Sequence, residues 1–140
     1  MEMPFDRWNA SAVDWVYSLT FKGIKPIMAH IERFFENEDM FDDLFSLGVY
    51  LQVNADTFLD KSRKHDINYL LKNNALHAIG SDCHSMGGRK SRIRRAYDEI
   101  EKTYGKALCD FLTANGKAIV EGRELEYNAP PIKKKFLGLF

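Results

Sequence analysis

The sequence predicts an α/β fold: three to four parallel strands, helices packed outside them, and a helical C-terminal region. Two observations predict it. Short apolar runs end in polar residues at nearly even intervals, with Pro26 to Ala29 before His30, Val49 to Val53 before Asn54, and Leu76 to Ser81 before Asp82. Adding Glu2, the separations are 28, 24 and 28 residues, the length of one strand, one helix and two short loops. In addition, each gap carries apolar residues at helical spacing. Repeated βα units place their strand C-termini on one face, where barrel enzymes build their sites. Glu2, His30, Asn54 and Asp82 are therefore candidate site residues, and their chemistry points to metal-assisted catalysis.

Taken in order, residues 1–5 read as the tail of a strand broken at Pro4. A helix is expected from an N-cap at Ser11 to Lys22, with Val13, Val16, Tyr17 and Phe21 on one face and Gly23 as its stop. Strand 25–29 follows. A second helix, Asp39 to Leu47, carries Met40, Phe41, Leu44, Phe45 and Leu47 as its core stripe and ends at Gly48. Strand 49–53 precedes a third helix over 57–73, with Phe58, Leu59, Ile67, Leu70 and Leu71 apolar and Asn73-Asn74 as its end. Strand 76–80 runs into a loop from Ser81 to Gly88. Helices over 90–104 and 106–114 and a short one near 115–121 complete the pattern. We expect residues 1–125 to form one barrel-like part and residues 126–140 a tail carrying Lys133 to Lys135 and the apolar Phe136 to Phe140.

The bulk composition narrows the function classes. The chain has 140 residues and is 45% hydrophobic, enough for one domain with a buried core. Twenty basic residues balance twenty acidic ones, so overall charge gives no reason to expect nucleic acid or an anionic membrane as partner. No apolar run approaches the ~20 residues of a membrane span, and residues 1–20 do not read as a signal peptide, so none is expected. Two cysteines, Cys83 and Cys109, fit a reducing cytoplasmic compartment better than a disulfide framework.

Three local clusters carry chemistry. In Ser81-Asp82-Cys83-His84, the Asp82 carboxylate and His84 imidazole can serve one cation or two neighbouring ones, or Asp82 simply caps a turn beside an exposed His84. His30 stands in register with Asp82. Arg33 follows three residues later with a planar fork suited to phosphate, or forms a surface ion pair with Glu32 or Glu36. Gly87-Gly88-Arg89 allows close backbone approach and a grip on an anion. The neighbouring Lys90, Arg92, Arg94 and Arg95 read as a solvated helix face. Cys83 to Arg89 also has the Cys-x5-Arg spacing of thiolate phosphatases. That motif carries Gly three residues after the Cys and Ser or Thr after the Arg, where this chain has Met86 and Lys90. His65 and His77 read as structural or solvent-exposed.

Taken together, Pro26 to Phe34 (Pro-Ile-Met-Ala-His-Ile-Glu-Arg-Phe), Leu51 to Asn54, Ser81 to His84 and Gly88-Arg89 resemble the PHP superfamily (polymerase and histidinol phosphatase). They most resemble its bacterial CpsB/CapC-type tyrosine phosphatases, which are associated with capsule and exopolysaccharide export. The resemblance covers Glu2 to about Leu125. It implies a partial PHP-type barrel, with Glu2, His30, Asp82 and His84 as metal ligands and Arg33 and Arg89 as phosphate-binding residues. Asn54 is expected to join Arg33 and Arg89 in binding substrate. It also implies a manganese cluster (Fe or Zn as alternatives) and a phosphotyrosine protein, such as a bacterial tyrosine kinase, as partner.

Two departures qualify the implication. Ile31 replaces the Pro that usually follows the strand-end His, and the family's His-x-His pair occurs nowhere in the chain. We therefore expect the C-terminal portion of a family member, with an incomplete cluster and weak or no activity alone. Exposed strand edges and an uncovered inner sheet face lead us to expect a homodimer. The alternatives are a non-catalytic half-barrel module, or another PHP phosphoesterase such as a histidinol phosphatase.

Overall fold

The computed structural model describes residues 1–2, 9–36, 38–85 and 90–131. Its centre is a three-stranded parallel sheet in the order β1 (Ile27–Met28), β2 (Tyr50–Asn54), β3 (Ala78–Gly80). Ile27 pairs with Tyr50 and Met28 with Leu51. Gln52, Val53 and Asn54 pair with Ala78, Ile79 and Gly80. Met1 extends the sheet beyond β1: its amino group donates to the Ile27 carbonyl at 2.7 Å, and its own carbonyl accepts from Ala29 N–H at 2.8 Å. Glu2 is thereby carried to the same end of the sheet as His30.

The first helix, α1, runs Ala10–Phe21, and its cap is Asn9, whose side chain accepts from Ala12 N–H at 3.1 Å. The expected cap at Ser11 is thus displaced by two residues. Gly23, at φ 77°, ends the helix as expected. Of the face expected to be apolar-buried, Val16 is buried, whereas Tyr17 and Phe21 are exposed. A 3-10 turn, Ile31–Phe34, leads to α2 (Glu38–Ser46), which buries Met40, Phe41 and Leu44 and stops at Gly48, φ 63°.

The helix expected over 57–73 is three pieces: α3 (Ala55–Leu59), a 3-10 turn (Lys61–Arg63) and α4 (Lys64–Lys72). Asp60 causes the break. Its backbone is extended and its carboxylate accepts from the N–H and the hydroxyl of Ser62, at 2.9 and 2.7 Å. Those bonds hold the Asp60 carboxyl below its ordinary value and restart the chain as a new helix. After β3, α5 runs Ile93–Tyr104. The two short helices expected from 106 to 121 are one, α6 (Lys106–Val120). The apolar period explains the fusion, since Leu108, Phe111, Leu112, Asn115 and Ala118 all face the core. Lys90, Arg92, Arg94 and Arg95 are exposed, as a solvated face requires.

Helix α5 packs between α3 and α6, and these two rest against β2 and β3 respectively. On β2, Leu51 and Val53 point into this core, each contributing about 1.5–3 kcal/mol by burial. The apolar strand residues expected to need a partner surface therefore divide: Leu51, Val53 and Ala78 are buried within the chain, while Ile27, Ala29 and Ile79 are half-buried. The middle of the other face belongs to Gln52, because side chains alternate along a strand. Asn115 ties α6 to the sheet, donating to the His77 carbonyl at 2.8 Å and the Glu126 carbonyl at 3.0 Å and accepting from Glu126 N–H at 2.8 Å. Tyr127 closes over His77, with ring centroids 4.5 Å apart. The remainder of the expected tail, 132–140, lies outside the described residues.

His77 is fully buried at the end of the sheet away from the polar strand ends. Its Nδ1 accepts from Leu51 N–H at 2.9 Å, and its Nε2 has no partner. Burial pushes its pKa down to about 4. The unfolded chain therefore takes up this proton near pH 6.5 while the folded chain refuses it until about 4. Urea unfolding is expected to show stability falling as pH drops through that window, with about 3 kcal/mol of the loss due to His77. His77→Asn, which offers Oδ1 to Leu51, should lose that share of the slope; an unchanged slope would contradict the assignment.

Candidate functional site

The C-terminal ends of the strands bring the sequence-predicted residues together. His30 follows β1 and Asp82 follows β3, both in left-handed backbone conformation, with φ 58° and 48°. For non-glycine residues that region is uncommon, costing about 1–3 kcal/mol, and it concentrates at functional sites. It turns both side chains into the mouth between the strands. Their side chains are only 13% and 14% exposed.

Asn54, the last residue of β2, lies between them. Its Oδ1 faces His30 Nδ1 at 3.0 Å, and its Nδ2 donates to Asp82 Oδ2 at 3.4 Å. One carboxamide thus spans the two. The second face of the His30 ring looks outward, with Nε2 3.8 Å from Glu2 Oε2. Arg33 closes the arrangement: its guanidinium donates to Glu2 Oε1 at 2.7 Å and stands 3.9 Å from Asp82 Oδ2. The geometry pairs Arg33 with Glu2 and Asp82, and its charge also reaches Glu32, one of the two partners anticipated for it. His84 is more exposed than the others, and its Nε2 lies 3.0 Å from Asp82 Oδ1.

The donor chemistry suits a divalent cation. Two ligand atoms, each about 2.1 Å from a metal, can stand up to about 4 Å apart, which fits the Glu2–His30 pair and the Asp82–His84 pair. Between the two carboxylates the Arg33 guanidinium already serves as a positive charge. Among the described residues, however, no three His, Cys, Asp or Glu side chains converge closely enough to hold one ion. The chain presents pairs of donors rather than a closed shell.

Two of the supporting residues were missed in the sequence. Gln52 accepts from the His30 N–H through Oε1 at 3.3 Å and donates from Nε2 to Asn54 Oδ1 at 3.1 Å. Its signal was its place two residues before Asn54, hence on the same face of β2. Glu32 accepts from Asn54 N–H at 3.3 Å; burial pushes its carboxyl above the ordinary value, although backbone N–H groups and nearby positive charge oppose the shift. Arg89, with Gly87 and Gly88, lies outside the described residues. Cys83 is a free, exposed cysteine whose thiol points to the Ser85 carbonyl at 3.9 Å. His65 is exposed beside Asp66.

Residues 4–121 match the family described as capsular polysaccharide synthesis, CpsB/CapC. The chain belongs to that family. Among curated relatives of this CpsB/CapC chain, the tyrosine-protein phosphatase YwqE of Bacillus subtilis is 28% identical over all of the chain and 58% of its own length. The tyrosine-protein phosphatase CpsB of Streptococcus pneumoniae is 34% identical over 70% of the chain and 45% of its own length. A solved structure from work on YwqE and CpsB, described there as unique metal-dependent tyrosine phosphatases, superposes with a TM-score of 0.79 at 27% identity. It covers 96% of this chain and 57% of that one. The chain therefore spans about half the length of the curated relatives it matches. The mixed α/β fold with its parallel sheet is that of the CpsB/YwqE structures.

Asn54→Leu should remove the shared partner of His30, Asp82 and Gln52 while keeping a similar volume. We expect a loss of about 1–3 kcal/mol in urea unfolding, from polar groups left without partners. A neutral substitution would show that the carboxamide is not what holds the mouth together.

Proposed function

We propose that the chain carries part of the site of a metal-dependent protein-tyrosine phosphatase, in a partial PHP-type barrel formed by residues 1–125. The observation that carries this reading is that Glu2 and Asp82 flank a single guanidinium, that of Arg33, with His30 Nε2 beside the Glu2 carboxylate. Such a mouth is built to hold positive charge next to a phosphate. The names and metal dependence of YwqE and CpsB support the same reading.

In it, Glu2, His30, Asp82 and His84 contribute metal ligands. Imidazole and carboxylate donors together suit manganese, with iron or zinc as alternatives. When bound, the metal supplies Lewis-acid activation of water and neutralises the phosphoryl oxygens. Both contributions are needed, because phosphate monoesters hydrolyse extremely slowly unaided. The chain's own residues then bind and orient. Arg33 exchanges its carboxylate partners for phosphoryl oxygens, Arg89 grips the same group, and Asn54 lies against the substrate from β2. The exposed Cys83 takes no part.

Capsule or exopolysaccharide biosynthesis is the setting, with a phosphotyrosine protein, such as a bacterial tyrosine kinase, as substrate in the cytoplasm. Among the described residues no helix is long and apolar enough to cross a membrane. Self-association as a homodimer belongs to this reading; the exposed Tyr17 and Phe21 on α1 support it.

The test is hydrolysis of a phosphotyrosine peptide, with Mn²⁺ supplied, by this chain or, since its own activity is expected to be weak or absent, by a longer protein that contains it. Chelation should abolish turnover, and Arg33→Ala should lower it by about 10²-fold or more, as loss of a charge-stabilising donor does elsewhere. Thiol alkylation and Cys83→Ser should leave it unchanged. Turnover that survives chelation and disappears in Cys83→Ser would contradict the proposal.

A further inference from the structure

Gln52 sits in the middle of β2 with its carboxamide lying across β3 at Gly80. A Cβ added at Gly80 would stand 2.6 Å from Gln52 Nε2 and 3.0 Å from Gln52 Cδ. The amide therefore occupies the space that glycine leaves. From there it reaches both His30 and Asn54.

The direction of every bond in this chain of groups follows from its two ends. The His30 backbone N–H can only donate, so the Gln52 atom facing it is Oε1. The other end of that amide is then Nε2, a donor, and the Asn54 atom it meets is Oδ1. Asn54 consequently turns Nδ2 to Asp82, whose ionised carboxylate accepts only. Both ends agree. Asn54 Oδ1 also faces His30 Nδ1 at 3.0 Å, and an oxygen acceptor there requires the proton on Nδ1. In the neutral ring, Nε2 then keeps its lone pair, 3.8 Å from Glu2 Oε2.

We propose that Gln52, seated against Gly80, is a positioning residue that sets the His30 ring tautomer through Asn54 and so presents Nε2 at the mouth. The inference rests on the reading of His30 as a metal ligand only for its purpose; the tautomer itself is a property of the chain alone. Fixing the far nitrogen of a ligating imidazole by a hydrogen bond typically changes metal affinity 10–100-fold. His77 provides an internal reference with the opposite tautomer: its Nδ1 accepts from Leu51 N–H, which puts the proton on Nε2.

The experiment is a long-range ¹H–¹⁵N spectrum of the metal-free, ¹⁵N-histidine-labelled chain, in buffer more alkaline than the ordinary imidazole range. His30 is assigned by the signals lost in His30→Gln. Wild type should show His30 protonated at Nδ1 and His77 at Nε2. In Gln52→Glu the introduced carboxylate would face Asn54 Oδ1, acceptor against acceptor, which favours turning the Asn54 amide over. His30 should then shift to the Nε2–H pattern, and the Mn²⁺ dissociation constant should rise about 10-fold or more. Gly80→Ala should move His30 in the same direction by displacing the Gln52 amide. Where His77 changes too, the variant has lost its fold, and Gly80→Ala decides. A His30 ring that is Nε2-protonated in wild type, or that stays Nδ1-protonated in the folded variants, would overturn the proposal. Should the tautomer shift as expected while wild type binds no Mn²⁺, the metal reading fails and the positioning role stands.

Discussion

One carboxamide holds the mouth of this sheet together. Asn54 reaches His30 on one side and Asp82 on the other, and its own backbone is fixed by Glu32. The linked residues are the last of β2 and one just past each of β1 and β3, so the link also fixes where the strand ends lie relative to one another. The residues flanking Asn54 both adopt left-handed backbone, a conformation that persists only where surrounding contacts over-determine it. Without the carboxamide, His30 and Asp82 would have little reason to face each other across β2.

The charge arrangement follows from that link. Two carboxylates, Glu2 and Asp82, are brought to the same opening, and such a pair needs a positive partner. Arg33 supplies one from the turn after β1. Its fork geometry suits carboxylate and phosphate alike. The same guanidinium that neutralises the opening can therefore orient a phosphate there. Core and site also divide the sheet's two faces cleanly. Leu51 and Val53 anchor β2 to the helices, while Gln52 and Asn54, one residue out of phase, build the opening.

Much of this was legible because a polar residue closing an apolar run is a strong signal. His30, Asn54 and Asp82 were found that way, and Gly23 and Gly48 marked their helix ends because only a flexible backbone turns there. What escaped has physical causes. The apolar spacing from Phe58 to Leu71 reads straight across Asp60, and only the Asp60–Ser62 bonds reveal that the helix restarts. The apolar face of α6 continues past residue 114, so the two helices expected there are one. Gln52 was read as part of a strand, since a single amide among apolar residues says nothing until the space above Gly80 is known. His84 read either as a ligand paired with Asp82 or as an exposed residue, and it is both beside Asp82 and exposed.

The most direct test of a cation-holding mouth is anomalous diffraction at the manganese edge from a crystal of the protein soaked in Mn²⁺. The account predicts a peak within coordinating distance of His30 Nε2 and of the Glu2 or Asp82 carboxylate, with the Arg33 guanidinium displaced from between them. A peak only at Cys83 or at the exposed His65, with Arg33 still joined to Glu2, would contradict it.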